Sequence, residues 1–259
     1  MRMMKKVLGT VTVLALSVSL LAGCGSTAVS PVSSTASTAA ESTTSSVVSE
    51  TTSAAADENA AAAAQLLNDL TGSYQELWPV ILADEYQQTW LDDCTALVGE
   101  DNAEAAFEKL SSMVTGDVYG EDAVKAYANG GGAYFCGFTN SLATLTFDGE
   151  ISTISGTDKD GNVLFSHTYH YIGMEPVHGL YEFESDDADS GEFTYFFLAP
   201  DTSAETYHIE FRYGSDAEAL SQYDAGEYAY WVASGISTDC DQTMIDNCIE
   251  LFCTENLAD

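Results

Sequence analysis

The stretch LATLTFDGEISTISGTDKDGNVLFSHTYHYI, residues 142–172, alternates apolar and polar positions and is broken twice by aspartate–glycine, at Asp148-Gly149 and Asp160-Gly161. Alternation with a period of two sends successive side chains to opposite faces of a strand, and Asp-Gly between two such runs signals a hairpin. Working outward, the same period recurs at 132–139, 179–185, 192–198 and 206–213, with an acidic loop at 185–191. Together with 142–147, 150–155 and 163–172 these make seven short strands on short links, an antiparallel meander that curls into a barrel. The flanks carry the helical period. Gln65 to Asn129 reads as mostly helical: Leu66, Leu67 and Leu70 open an apolar stripe, and Leu77, Trp78, Ile81 and Leu82 continue one after a break at Gly72. Segments 103–113 and 122–128 read as two more helices, and 215–223 and 242–252 close the chain as helices. The expected fold class is mainly β, an antiparallel β-barrel with flanking helices at both ends, spanning residues 65–259.

Seven Lys and Arg stand against 41 Asp and Glu, a formal charge of −34, with 46% hydrophobic and 11% aromatic residues. That sign repels phosphate backbones and anionic headgroups, so no nucleic-acid partner and no polybasic membrane docking is expected. What it concentrates is cations. The apolar content is too high for a wholly disordered chain.

The start of the chain is an address. Arg2, Lys5 and Lys6 precede a mostly apolar run from Val7 to Leu21, and Leu21-Ala22-Gly23-Cys24 closes it. The apolar core of about 15 residues is short for a bilayer span of ~20. The arrangement resembles a bacterial lipoprotein signal, which implies a signal peptide at 1–23 and a lipidated Cys24. Residues 24–64 then read as a disordered tether, since 17 of the 40 residues from Gly25 to Ala64 are Ser or Thr and 12 are Ala. Such a segment buries too little apolar surface to offset the entropy of ordering it. The expected location is extracytoplasmic, on the outer face of the bacterial cell membrane, with the lipid anchor as the only membrane contact.

The folded part opens with Leu67-Asn-Asp69-Leu-Thr-Gly72-Ser-Tyr74-Gln75-Glu-Leu-Trp78-Pro79. This resembles the start of the ZinT family of lipocalin- and calycin-like zinc-binding domains, with Tyr74 standing where a Trp is usual. Lys125-Ala126-Tyr127 is similar to the helix before the barrel. Phe183-Glu184-Ser-Asp-Asp-Ala-Asp189-Ser-Gly191-Glu-Phe193-Thr-Tyr195 is similar to a strand, acidic turn and strand. Tyr207-His208-Ile209, Ala219-Leu220 and Tyr230-Trp231 follow in the family's order. The resemblance implies a divalent metal ion as ligand, zinc in particular, and a zinc ABC-transport binding protein as a partner.

It also implies where the metal sits: one histidine just upstream of an Ile-Ala-Pro step, and a His-x-His pair on the next strand. This chain has Leu198-Ala199-Pro200, but Phe196 or a short deletion stands at the upstream histidine's place, and Thr206 replaces the first histidine of the pair. His208 remains. Glu210 shares its face of the strand, and Asp201 and Glu205 lie in the adjoining loop. His167, His170 and His178 are the other candidate ligands. His167 and His170 are three apart and face opposite sides of a regular strand, so at most one joins a given cluster. The expectation is a depleted, mixed histidine–carboxylate site, weaker and less zinc-selective than three imidazoles.

The acidic loop from Glu184 to Asp189 lacks a spaced Ca²⁺-loop pattern and reads as a solvated hairpin turn. Asp158-Lys-Asp160-Gly161 reads the same way. Five cysteines follow Cys24 (Cys94, Cys136, Cys240, Cys248 and Cys253), an odd number whose pairing the spacing does not choose. Tyr223, Tyr228, Tyr230 and Trp231 read as packing across the barrel mouth. There is no nucleophile elbow, phosphate loop or HExxH, so no enzyme is expected. Two readings stand: a surface lipoprotein that binds a divalent metal for uptake or buffering, and a non-metal barrel that binds a small molecule in its lumen or serves as a structural module.

Overall fold

The computed structural model describes residues 58–199 and 208–258. The signal segment, Cys24 and the tether up to residue 57 lie outside these residues, as do Pro200, Asp201, Glu205 and Thr206. Among the described residues no helix is long and apolar enough to cross a membrane.

Eight strands close a barrel: β1 (Gly72–Glu76), β2 (Thr144–Asp148), β3 (Thr153–Thr157), β4 (Val163–Met174), β5 (Tyr181–Ser185), β6 (Tyr195–Leu198), β7 (His208–Gly214) and β8 (Ala233–Ser237). Each pairs antiparallel with the next, and β8 returns to β1 through Gly235↔Glu76. Closure removes exposed edges, the up-and-down arrangement of the lipocalin type. The helices are α1 (58–69), α2 (Leu77–Ile81), α3 (Gln87–Val98), α4 (Glu100–Met113), α5 (Glu121–Ala128), α6 (Ala217–Leu220) and α7 (Gln242–Leu257). The side chain of Asp241 caps α7 by accepting from the Met244 N–H at 3.0 Å, and Asp216 caps α6 in the same way at Ala219.

Three readings of the sequence are corrected. The break at Gly72 is not a helix interruption but β1, so the helical region is split by the barrel's first strand. Segment 132–139 is not a strand of the barrel; it runs across the outside, bridging Thr115 and Trp231 through Phe135. The eighth strand is β8, where no strand was expected. The first helix begins at 58 and buries Ala63 completely.

Two apolar clusters hold the fold. Tyr74, Leu145, Phe147, Ile154, Phe165, Tyr169, Phe183, Phe196, Ile209, Phe211 and Tyr213 fill the lumen, joined by Leu66 and Leu67 of α1 and by Leu70 just after it. α1 lies against the β2–β3 hairpin, where a Cβ on Gly149 would sit 2.4 Å from the Asn68 Cα. The lumen is therefore packed with the protein's own side chains. The second cluster packs α2, α3, α4 and α7 through Trp78, Ile81, Trp90, Leu110 and Ile249 onto the outer face of β8 at Ile236.

Candidate functional site

β7 turns Ile209, Phe211 and Tyr213 into the lumen, so His208, Glu210 and Arg212 point outward. His208 and Glu210 share a face, as the spacing requires, and both are half-buried beneath the segments that cover this side of the barrel. The Cys136 thiol, on one of those segments, is pushed up to about 12 by burial first and then by the charge of Glu210. The expected companions on the 198–208 link fall outside the described residues.

The other three histidines each have carboxylate neighbours of their own. His167 lies on the inner face of β4 between Phe165 and Tyr169, and its Nδ1 is 2.8 Å from Asp187 Oδ2. His170 faces out, opposed in register by Glu184. Its Nδ1 is 2.7 Å from Asp186 Oδ1, and its Nε2 is 3.9 Å from Glu184 Oε2. The two histidines thus face opposite sides as expected, yet both are held by consecutive carboxylates of the β5–β6 loop. That loop is not merely a solvated turn: it anchors one imidazole at the barrel mouth and one on the wall.

At His170 the chemistry is specific. A carboxylate only accepts, so Nδ1–H is the donor to Asp186, and whenever the ring is neutral its lone pair sits on Nε2, toward Glu184. Tyr195 donates its hydroxyl to the other Glu184 oxygen at 3.1 Å, which orients that carboxylate. Asp186 and Glu184 address different ring nitrogens, so one imidazole and one carboxylate are the donors on offer. Among the described residues no three His, Cys, Asp or Glu side chains are placed to hold a metal ion. Two donors plus water suit a weakly held divalent ion and not a closed structural zinc site.

His178 belongs to a different arrangement, one that sequence reasoning missed. Glu175, fully buried in the β4–β5 turn, accepts from the backbone N–H of Val177 at 2.9 Å and of His178 at 2.5 Å. The His178 ring lies 3.7 Å from that of Tyr223, and its Nδ1 approaches Glu175 Oε2 at 3.4 Å without hydrogen-bond geometry. Beneath Tyr223 is Arg212, also fully buried, whose guanidinium donates to the carbonyls of Leu220, Tyr228 and Gln222. Burial lowers the Arg212 pKa, offset in part by Tyr223 and Glu175, and burial with Glu175's charge raises that of Glu182. Arg212 is the one Lys or Arg after Lys159, a solitary cation in an acid-rich hundred residues. That isolation was the available signal.

Comparison with known proteins places the chain only loosely. No family model matches, and no curated protein matches. Among solved structures it is similar to the Zn(II)-bound ZinT-like domain of Streptococcus pneumoniae AdcA, at 16% identity and a TM-score of 0.45, over 71% of this chain and 89% of that one. It is also similar to Zn(II)-bound AdcA from Streptococcus pneumoniae, at 16% identity and a TM-score of 0.42, over 74% of this chain. The chain spans 35% of the length of that second protein.

Proposed function

We propose that the chain is a lipid-anchored, extracytoplasmic and non-catalytic barrel protein that loads a divalent metal ion, zinc first, at His170 and Glu184. It does so in support of metal uptake or buffering, with a zinc ABC-transport binding protein as the partner in that route. The supporting observation is the His170 pair: Asp186 fixes the ring through Nδ1 and leaves Nε2 facing Glu184 at 3.9 Å. A hydrogen-bonded carboxylate behind an imidazole is the usual arrangement behind a metal-ligating histidine, since it sets the tautomer and raises ligand basicity. An N/O donor pair favours zinc and copper over calcium, and the acidic surface raises the local cation concentration without choosing among ions. His208, the position the family resemblance points to, and Glu210 on the same face offer one imidazole and one carboxylate on β7. Calorimetric titration of metal-free protein with zinc tests the reading. Binding is expected in the wild type and in His208→Ala, and its loss in His170→Ala; absent heat in the wild type, or undiminished binding in His170→Ala, overturns it.

A further inference from the structure

The sulfurs of Cys94 on α3 and Cys253 on α7 lie 3.9 Å apart, although 159 residues separate them in sequence. Both side chains are fully buried, in the cluster that also holds Trp90 and Ile249. Elsewhere Cys136 turns toward the Tyr134 carbonyl at 3.9 Å, and Cys240 sits half-buried just ahead of α7. A sulfur–sulfur distance of 3.9 Å is van der Waals approach, and rotation about the Cα–Cβ bonds is the motion that brings such a pair to the bonded distance of about 2.05 Å.

We infer that Cys94 and Cys253 form a disulfide that pins α3 to α7, made by exchange with a small-molecule disulfide of the glutathione class in an oxidising compartment. The exchange balances. One protein thiolate attacks oxidised glutathione, forming a mixed disulfide and releasing one glutathione thiolate. The second protein thiolate attacks the protein sulfur of that mixed disulfide, forming the Cys94–Cys253 bond and releasing the second glutathione. Two protons leave the protein thiols and two electrons pass to glutathione. Burial raises the pKa of both thiols, so exchange belongs to the open, folding chain, and the finished bond is shielded from reductants. The bond closes a loop of well over a hundred residues, which gives it a large effect on the unfolded chain. The compartment rests on the reading above, whereas the pairing rests on geometry alone.

The test is a non-reducing peptide map of the full-length protein, refolded in a mixture of oxidised and reduced glutathione, alkylated and cut with a glutamyl protease. The expected product is one linked pair of peptides carrying Cys94 and Cys253, lighter by two hydrogens than the free peptides. The melting temperature of the oxidised protein should exceed that of the reduced protein by about 5–15 °C. Cys136→Ser should keep both the link and the shift. Alkylation of both Cys94 and Cys253, or linkage of either to Cys136, Cys240 or Cys248, overturns the pairing; a correct link with unchanged melting overturns the pinning. None of these results bears on zinc, because His170 and Glu184 lie on the barrel wall.

Discussion

The guanidinium carbon of Arg212 lies 4.2 Å from the centre of the Tyr223 ring, on the outside of the barrel. Its nitrogens donate to the carbonyls of Leu220, Gln222 and Tyr228, so a single side chain holds the whole excursion between β7 and β8 against the wall. Replacing it with the apolar Arg212→Met keeps much of the volume and leaves those carbonyls without donors. Buried hydrogen bonds from a charged group contribute about 1.5–3 kcal/mol each, divided here because one guanidinium serves several carbonyls. The expected loss is about 3 kcal/mol by urea denaturation, with faster amide exchange confined to 215–230.

Gly156 of β3 faces the lumen, where a Cβ would lie 2.4 Å from ring carbon Cε1 of Phe165 and 2.4 Å from Leu142 Cδ1. Phe165 is held in place by stacking on Phe193 at 4.0 Å. Gly156→Ala should therefore destabilise the barrel by about 1–3 kcal/mol, the usual cost of overpacking. A lumen with room for a ligand would absorb the methyl group, so unchanged denaturation midpoints would contradict the packed-core description.

The parts of the fold legible in the sequence were those with one wet face. β2, β3, β4 and β7 alternate because the lumen takes one side of each strand and solvent or a light cover takes the other. β8 does not alternate. Ala233, Ser234, Gly235 and Ile236 are all buried, the lumen on one side and the α2–α7 layer on the other, so small residues erase the period. β1 has one buried residue in five, Tyr74, and runs straight into the Leu77–Ile81 helix, whose apolar spacing dominates the window. Segment 132–139 has strand-like residues, but its backbone pairs with 230–234 outside the closed ladder, a tertiary choice no local pattern records. The His170–Glu184 pairing depends on the β4–β5 register, which shifts at Tyr171/Gly173. A single-residue slip would turn Glu184 to the other face.

Alkaline pH should unfold the protein through its tyrosines. Burial is the main cause raising Tyr119, Tyr134, Tyr213 and Tyr223 above the ordinary value of 10.0, and pushes Tyr127 up to about 12. Above pH 10 the unfolded chain loses these protons while the folded chain keeps them, so the unfolded state binds fewer protons and unfolding free energy falls as pH rises. The stability is complete below pH 10 and is lost progressively toward the folded values. Tyrosinate absorbance and circular dichroism should change together in this range; ionisation well ahead of unfolding would contradict the burial of these rings.

Salt should stabilise the folded domain. Residues 65–259 carry 37 acids and 4 cations, a net of −33, and few of these acids have a cation within reach. Their mutual repulsion acts over the compact surface more than over the expanded chain, and at about 0.15 M salt it is screened beyond about 8 Å. The melting temperature is expected to rise between low salt and that concentration. A fall would mean that attractive pairs such as Lys125–Asp122 outweigh the repulsion.

Salt also separates the two ways this surface meets cations. The diffuse field attracts calcium and zinc alike, and that attraction fades as ionic strength rises. A coordinate bond to the Nε2 of His170 does not fade in the same way, because imidazole is a poor ligand for calcium and a good one for zinc. Raising salt to about 0.15 M should therefore abolish calcium uptake and leave a single class of zinc binding. His170→Ala should remove that residual class and leave the low-salt calcium uptake intact. Glu184→Gln, which keeps shape but surrenders the charge, should weaken zinc without abolishing it. Equal salt sensitivity of zinc and calcium in the wild type would reduce the His170–Glu184 pair to a surface hydrogen-bonding contact.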